Sequence, residues 1–447
     1  MAKRIGLISL GCAKNLVDSE QMLSVLADAG YEFSDNLDEC DGVLVNTCGF
    51  IDDAKSEAIE NFLELAQLKE EGKIHVIVAA GCLAERYREE LRAEIPQIDA
   101  LLGCGSYDRV AEAFDAVFAG ETAYARFEAL DAPVRETSRI PCTPHYTAYV
   151  RIGEGCDNRC SYCVIPSLRG PYRSRKPEAV LQECRELAEA GAKELIIIAQ
   201  DITKYGTDLG GDYLLPELLD DICRIEGPEW IRLHYLYPNG VTEKLMDCIA
   251  RNEKIVHYLD IPIQHISEKV LSRMNRHHTG AEVRALFKRL KERFPDMVLR
   301  TSVMVGFPGE TKKDFDELME FLREFRLERA GVFVFSPQEG TEAAGLDGKV
   351  GKRTAQRRAE LVSELQAEIM EAESEKLVGK TLTVLCEGFD RYAEVFYGRT
   401  YADSPEVDGK VFFSAEDKPA PGDICRVYIE EVMDGDPVGV RREESEE

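Results

Sequence analysis

Three cysteines in the middle of the chain have a spacing that suits iron–sulfur chemistry. Cys156, Cys160 and Cys163, here called the central trio, form a C-x3-C-x2-C motif just after a strand-like apolar segment. Three thiolates can bind three irons of a cubane cluster and leave the fourth iron open to an outside ligand. The alternative is a zinc site, which takes four ligands, and the candidates for the fourth are Cys142 and His145. The spacing favours the cluster with one open iron.

A second set of cysteines is dispersed over the first part of the chain. Cys12, Cys48 and Cys82, here called the N-terminal trio, each follow an apolar run. The carboxyl ends of neighbouring parallel strands share one edge of a sheet, so the three thiols could converge there on another cluster with an open iron. The alternative is three unrelated buried cysteines. Cys104 also follows an apolar run and is either a fourth ligand or, as we expect, a nearby bystander.

The elements that would position the N-terminal trio alternate between strands and helices. Strand-like runs lie at 5–10, 43–45, 76–80 and 100–102, with helical patterns near 18–29, 52–70, 84–94 and 108–118. This alternation predicts a parallel sheet with helices on its faces. Residues 121–141 have no clear period and are predicted to be a linker.

A second alternating series would position the central trio. Its predicted strands lie at 148–152, 194–199, 230–235, 258–263, 298–305 and 329–335, with helices at 177–190, 214–225, 241–251, 267–273, 280–293 and 311–326. Six such units in one sheet make an incomplete version of the eight-stranded barrel, whose sites lie at the carboxyl ends of the strands. Residues 352–377 are predicted to form one long amphipathic helix. About five short strands after Val378 predict a small closed antiparallel β-barrel.

Several polar residues directly follow strands of the predicted central barrel. Gln200 and Asp201 follow its second strand, Gln264 and His265 follow its fourth, and the segment GFPGE at 306–310 follows its fifth. All are expected at the carboxyl-end mouth, where each is as consistent with a turn or cap as with a ligand contact. GFPGE lacks the Lys-Ser/Thr of a phosphate loop, so no nucleoside-triphosphate site is predicted.

Composition limits the class of protein. The 447 residues carry 55 Lys+Arg and 83 Asp+Glu, a formal net charge of −28, which argues against a protein that coats DNA. No apolar run approaches the ~20 residues that span a bilayer, so no membrane partner is expected. The first residues resemble a strand more than a signal peptide, and 14 cysteines in a reducing cytoplasm favour metal binding over disulfides. Six of them, without partners at ligand spacing, are expected to be buried apolar residues: Cys40, Cys184, Cys223, Cys248, Cys386 and Cys425.

The whole chain resembles the methylthiotransferase branch of the radical S-adenosylmethionine enzymes. Both cysteine trios match that branch, and the last domain resembles a TRAM domain. Within the branch, the chain is most similar to the RimO-type ribosomal protein S-twelve methylthiotransferases, through the segments HYTAY, YLDIPIQHIS, VMVGFPGET and SPEVDG. Ser404 stands where we expect alanine, outside both trios. The resemblance implies an N-terminal methylthiotransferase domain at 1–120, a radical S-adenosylmethionine core at 142–373 and a TRAM domain at 376–442.

The resemblance also implies a reaction. Members insert a methylthio group at the β-carbon of an aspartate in ribosomal protein S-twelve. The C–H bond of that carbon is too weakly acidic for a side-chain base, so a radical removes the hydrogen. A 4Fe–4S cluster on the central trio would bind S-adenosylmethionine and, with one electron from a donor, yield a 5′-deoxyadenosyl radical. A second 4Fe–4S cluster on the N-terminal trio would deliver sulfur from a sulfur donor, methylated by further S-adenosylmethionine. By position, Gln200 and Gln264 are expected to contact S-adenosylmethionine.

The substrate has an alternative, since methylthiotransferases that modify a tRNA adenosine next to the anticodon share both trios. The acidic last domain, with 17 Asp+Glu against 8 Lys+Arg from residue 379 onward, favours a basic ribosomal protein, or the small ribosomal subunit, over tRNA. We therefore expect this domain to dock the substrate. A rival of another class, an iron–sulfur carrier without catalysis, would leave the mouth of the barrel unexplained.

Overall fold

The computed structural model describes residues 2–210 and 214–442. Its first sheet contains β1 (Arg4–Ser9), β2 (Glu32–Phe33), β3 (Gly42–Thr47), β4 (Val76–Gly81), β5 (Ala100–Leu102) and β6 (Tyr124–Arg126). The helices between them are α1 (Ala13–Asp28), α2 (Asp52–Glu70), α3 (Cys82–Tyr87), α4 (Glu89–Glu94) and α5 (Val110–Phe118). All strands are parallel, in the order β2-β1-β3-β4-β5-β6. The central strands β3 and β4 are buried along their whole length, as expected when helices cover both faces.

The four predicted strands of this sheet are confirmed, but the predicted linker is partly wrong. Within 121–141, β6 pairs in parallel with β5 and extends the sheet past residue 120. The edge strand β2 was also outside the prediction. Strands of two or three residues are too short for a period of two to be recognised.

The central unit has six long parallel strands, as predicted. They are β7 (Thr147–Arg151), β10 (Glu194–Ile198), β11 (Trp230–Leu233), β12 (Ile255–Asp260), β13 (Val298–Val305) and β14 (Arg329–Val334), with the short pair β8 (Gly153–Glu154) and β9 (Arg173–Ser174) apart from them. The sheet order is β14-β13-β12-β11-β10-β7, so β7 and β14 are the two edges of an incomplete barrel.

The helices of the central unit follow its strands. They are α6 (Ile165–Arg169), α7 (Pro177–Glu189), α8 (Leu215–Cys223), α9 (Glu243–Arg251), α10 (Glu268–Arg273), α11 (Gly280–Arg293), α12 (Lys312–Phe325) and α13 (Lys352–Ser374). Reciprocal capping boxes begin α11 and α12, at Thr279 and Thr311, because each hydroxyl accepts from the backbone three residues on. The long helix predicted at 352–377 ends at Ser374 and continues as a short 3-10 turn. No helix among the described residues is long and apolar enough to cross a bilayer.

The last strands form the predicted closed barrel. They are β15 (Thr381–Asp390), β16 (Val395–Arg399), β17 (Val411–Ser414), β18 (Ile424–Met433) and β19 (Asp436–Arg441), closed in the order β15-β16-β17-β19-β18. Four of the five pairings are antiparallel, as predicted, whereas the pair of β17 and β19 is parallel. Because β17 and β19 are not joined by a hairpin turn, no turn residues in the sequence indicate that they pair.

A buried carboxylate attaches the C-terminal barrel to the central barrel. Glu194, the first residue of β10, receives Arg232 from β11 and Arg399 from β16, each at 2.7 Å, and all three side chains are buried. Although burial raises the pKa of Glu194, the two guanidinium groups lower it to about 2, so the carboxylate is ionised. Because Glu194 begins its strand, the C-terminal barrel lies at the amino-terminal end of the central barrel.

The segment 400–409 between β16 and β17 fills that amino-terminal end. Asp403 accepts from Arg329 at 2.7 Å, and Asp408 accepts from the Tyr258 hydroxyl at 2.7 Å. Ser404, which is buried, lies 3.2 Å from the ring of His234. The conspicuous SPEVDG motif is therefore structural here: it closes the end of the central barrel opposite to the carboxyl ends of the strands.

Candidate metal centre

Both cysteine trios face one large cavity. This cavity, of about 1150 Å³, lies between the N-terminal sheet and the carboxyl ends of the central strands, and its lining includes Cys12, Cys48, Cys82, Cys156, Cys160 and Cys163. The carboxyl ends of both sets of parallel strands meet at this cavity, because the strands of each sheet run toward it. The structure thus brings the dispersed and the local cysteines of the sequence together around a single space.

Close backbone packing holds the loops of the N-terminal trio together. Cys12 directly precedes α1, Cys48 follows β3, and Cys82 begins α3. Gly11 has a φ of +97°, and a Cβ there would lie 2.8 Å from the Cβ of Cys48. A Cβ on Gly49 would lie 2.9 Å from the backbone of Cys82. These two glycines allow a closer approach of the loops than any side chain would permit.

The thiols of the N-terminal trio also interact electrostatically. Burial raises the pKa of the Cys48 thiol to about 11, and the neighbouring Cys82 and Cys12 raise it as well. Thiolates, not thiols, bind iron, so a cluster here would have to displace the proton of Cys48. The positive irons of a cluster would neutralise the charge of the three thiolates.

Cys104 lies beside this trio. Its Sγ is 3.8 Å from the Sγ of Cys82, and its backbone N–H donates to Glu85 at 3.1 Å. Cys104 packs with Cys82, Val164 and Leu168 and is absent from the residues that line the cavity in the described structure. The position of Cys104 behind Cys82 favours the interpretation that Cys104 is not a cluster ligand. This interpretation stays a prediction.

The central trio lies in the loop between β8 and α6. Burial raises the pKa of Cys156 to about 11 and that of Cys163 to about 12. The Sγ of Cys163 accepts from the backbone N–H of Ile165 at 3.4 Å, and the Sγ of Cys160 lies 3.6 Å from the Arg276 guanidinium. Such N–H donors and positive charge stabilise thiolate ligands and the clusters they hold.

Each trio offers three thiolates, one for each of three irons of a cubane cluster. Among residues 2–210 and 214–442, no three His, Cys, Asp or Glu side chains are spaced to hold one metal ion. In a cubane each thiolate binds a different iron, so three thiolates can be further apart. The two proposed fourth ligands for zinc lie elsewhere: the backbone N–H of Cys142 donates to Glu20 at 2.7 Å, and His145 approaches Gly422.

The two glutamines predicted at the mouth both line the cavity. The side-chain amide of Gln200 donates to Glu154 at 2.7 Å, and the backbone carbonyl of Gln264, a residue with a φ of +68°, accepts from the backbone N–H of Met304 at 2.7 Å. Asp201 also lines the cavity, but its carboxylate binds Asn158 at 2.8 Å and caps the following turn. His265 is fully buried and accepts from the backbone N–H of Ser267, so its expected place at the mouth is wrong.

Sequence reasoning missed a buried arginine that contacts the N-terminal trio. The Arg169 guanidinium is buried and lies 3.0 Å from Glu154, 2.9 Å from Asp18 and 3.6 Å from the Sγ of Cys82. Glu154 in turn receives Gln200 at the central trio's side of the cavity. Arg151 binds the same two carboxylates. An Arg only 6 residues after Cys163 was the available signal, but its partners Asp18 and Cys82 lie in distant parts of the chain and could not be inferred from the neighbouring sequence.

Three protein families match the chain. The Radical SAM superfamily matches residues 150–322, an uncharacterized protein family, UPF0004, matches residues 4–103, and the TRAM domain matches residues 378–440. Each matched range lies in one of the three structural units: the first two end before the last elements of their units, α5 and β6 in the N-terminal unit and β14 and α13 in the central unit.

Proteins named ribosomal protein uS12 methylthiotransferase RimO match over almost the full length. The protein of Pelotomaculum thermopropionicum is 47% identical over 430 residues, with 96% of this chain and 97% of that protein covered. The protein of Thermoanaerobacter sp. is 44% identical over 437 residues, with 98% and 99% covered. Among solved structures, the radical S-adenosylmethionine methyltransferase TsrM from Kitasatospora setae, with cobalamin and a 4Fe–4S cluster bound, has a TM-score of 0.54 at 17% identity and covers 75% of each chain. That likeness concerns the fold alone.

Proposed function

The chain belongs to the RimO family of radical S-adenosylmethionine methylthiotransferases, and we propose that it inserts a methylthio group at the β-carbon of an aspartate in ribosomal protein uS12. As a member of the radical S-adenosylmethionine superfamily, it is a transferase that uses S-adenosylmethionine and a 4Fe–4S cluster. We further propose that it holds two such clusters, one on the central trio and one on the N-terminal trio. The observation that carries this proposal is the shared cavity, because sulfur insertion needs both centres within reach of one carbon atom.

Bound clusters and S-adenosylmethionine would supply the radical, the sulfur and the methyl group of this reaction. The chain itself supplies the positions. The loops after β1 and β3 of the N-terminal sheet hold Cys12 and Cys48 at one wall of the cavity, and the loop before α6 holds the central trio at the other. Gln200 and Gln264 line the same cavity as the central trio, and their amide groups suit the amino, carboxylate or ribose groups of S-adenosylmethionine.

Much of the cavity wall is apolar, although charged side chains also line it. Apolar side chains, among them Met304, Val334 and Phe335 at the ends of β13 and β14, make up much of the lining. Tyr162, next to the central trio, packs edge to face on Phe307, with ring centroids 6.3 Å apart. A dry wall of this kind limits side reactions of reactive intermediates.

The rest of the reaction depends on partners. We propose that an electron donor and a sulfur donor act on the enzyme in the reducing cytoplasm, and that its substrate is uS12, free or in the small ribosomal subunit. The formal net charge of −28 favours this cationic substrate over tRNA.

The proposal is tested by loading the purified enzyme with iron and sulfide without oxygen and adding S-adenosylmethionine, a reductant and uS12. We expect 5′-deoxyadenosine and a methylthio group on one uS12 aspartate, identified by peptide mass spectrometry. tRNA incubated in parallel should stay unmodified. A methylthio nucleoside in the tRNA digest with unmodified uS12 would contradict the substrate, and absence of 5′-deoxyadenosine would contradict the radical reaction.

A further inference from the structure

Helix α2 leaves an apolar stripe uncovered. One side of the helix packs into the N-terminal domain through Ala58, Phe62 and Leu65, which are buried. On the outer side, Ile59 and Leu63 are 41% and 56% exposed. Residues four apart lie on the same face of a helix, so these two side chains form one continuous patch. Two large aliphatic side chains adjacent on a soluble helix are typical of an interaction surface.

This stripe begins at the entrance of the cavity. Asp52, in the first turn of α2, lines the cavity and accepts from Ser336, and Lys55 donates to Gln338 at 3.2 Å, both partners lying just after β14. Ile59 is seven residues from Asp52 and four from Lys55, so it lies on the same helix face. From Asp52 the stripe runs outward by about 1.5 Å per residue, or roughly 16 Å to Leu63.

The open edge of the central barrel adds an apolar rim at the same entrance. Phe333 of the edge strand β14 is 52% exposed, and Ile51, directly before α2, is 38% exposed. Both line the cavity. The entrance, the edge strand and the α2 stripe are thus continuous.

The outer side of α2 is also acidic. Glu57, Glu60 and Glu64 are exposed, and none of them is in an ion pair within the described structure. Proteins that bind RNA backbones carry an excess of Lys and Arg to neutralise phosphates, so a ribosomal protein presents cationic segments. Complementary charge around an apolar stripe raises the association rate and selects such a segment.

We propose that the exposed side of α2, where the apolar Ile59 and Leu63 are flanked by Glu60, Glu64 and, further around the helix, Glu57, docks a basic segment of the ribosomal protein substrate and directs its aspartate into the cavity. This inference rests on the proposed function. The docking role expected for the acidic C-terminal barrel, which closes the opposite end of the central barrel, stays a prediction that the control variant below also tests.

Deleting the C-terminal barrel cannot test which surface docks the substrate, because deletion would uncover the buried Glu194 and Arg232. Point variants avoid this problem. We compare the variant E57K/E60K/E64K with E416K/E430K/E431K, a control of equal charge change at exposed positions of the C-terminal barrel. A third variant, I59S/L63S, removes the apolar stripe.

In full-length, cluster-loaded enzyme, E57K/E60K/E64K should raise the KM for free uS12 about tenfold at low ionic strength, with a smaller effect at high salt. I59S/L63S should raise the KM several-fold at both ionic strengths, whereas the C-terminal control should leave it unchanged. Slow 5′-deoxyadenosine formation without uS12 should be unchanged in all three. A normal KM in either α2 variant, or an equal rise in the control, would overturn the docking site.

Binding of uS12 to the same variants, measured by surface plasmon resonance without turnover, tests the docking site independently of the proposed reaction. Weaker binding only in the α2 variants supports the docking site even if no methylthio product forms. Equal binding by wild type and both α2 variants overturns it even if uS12 is modified normally.

Discussion

Replacing Gly11 by alanine should disable the N-terminal trio without touching a cysteine. A Cβ at this position would lie 2.8 Å from the Cβ of Cys48 and 3.2 Å from the Asn15 amide, whereas ordinary contacts begin at 3.4 Å. Relief of the first contact requires a shift of about 0.6 Å, several times the ~0.2 Å tolerance of a metal–ligand distance. The φ of +97° adds a backbone cost of about 1–2 kcal/mol. Cys48 should therefore leave its position.

The assay is iron and acid-labile sulfide content after loading without oxygen. Gly11→Ala should bind about four irons per chain, against about eight in the wild type, because one cubane cluster is lost. Gly30→Ala is the matched control: its φ is +89°, but no atom lies within 4 Å of the added Cβ. Wild-type iron in Gly11→Ala, or an equal loss in Gly30→Ala, would refute the reasoning.

Three further predictions follow from buried groups. Arg169→Met should lower the free energy of unfolding by about 3–5 kcal/mol, because it leaves two buried carboxylates with one cation fewer. Calorimetry should show this as a lower Tm, with a smaller decrease for Arg169→Lys. An unchanged Tm in Arg169→Met would contradict the prediction. Glu194, with a pKa lowered to about 2, should stabilise the C-terminal barrel fully above its usual pKa of 4.5 and lose this effect as the pH falls toward 2. Limited proteolysis by pepsin should therefore release this barrel at pH 2 and not at pH 5, and release at pH 5 would be inconsistent with the ion pairs. Cys104→Ala should keep wild-type iron content, whereas a loss of iron would make Cys104 a ligand.

Long strands were predictable because their apolar runs are continuous. β10, with the sequence ELIII, lies within the predicted 194–199. The bounds of β13 and of the three-residue β5 also agree with the prediction at both ends, and β5 stands out because Asp99 and Gly103 border it. The closed C-terminal barrel was predicted from alternation and turn residues. Two features were not predicted. One is the strand β6, which has only three residues, and the other is the parallel pairing of β17 with β19, which joins strands that are not consecutive in the chain.

The candidate site divides in the same way. The central trio is a local motif, so its spacing was visible, and the N-terminal trio followed from the rule that parallel strands end at one edge. The ion pair behind the N-terminal trio was not visible, because Arg169 and Asp18 lie far apart in the chain and meet only after the two domains pack. The docking role of the acidic C-terminal barrel was inferred from composition alone, which does not locate charge relative to the cavity.

The central claim is that two cysteine trios each hold a cluster at one cavity. Mössbauer spectroscopy and iron analysis of the loaded wild type, of a triple alanine variant of the N-terminal trio and of one of the central trio test it most directly. The account predicts about eight irons as two 4Fe–4S clusters in the wild type and about four as one cluster in either variant. About four irons in the wild type, all lost with the central trio and none with the N-terminal trio, would contradict it.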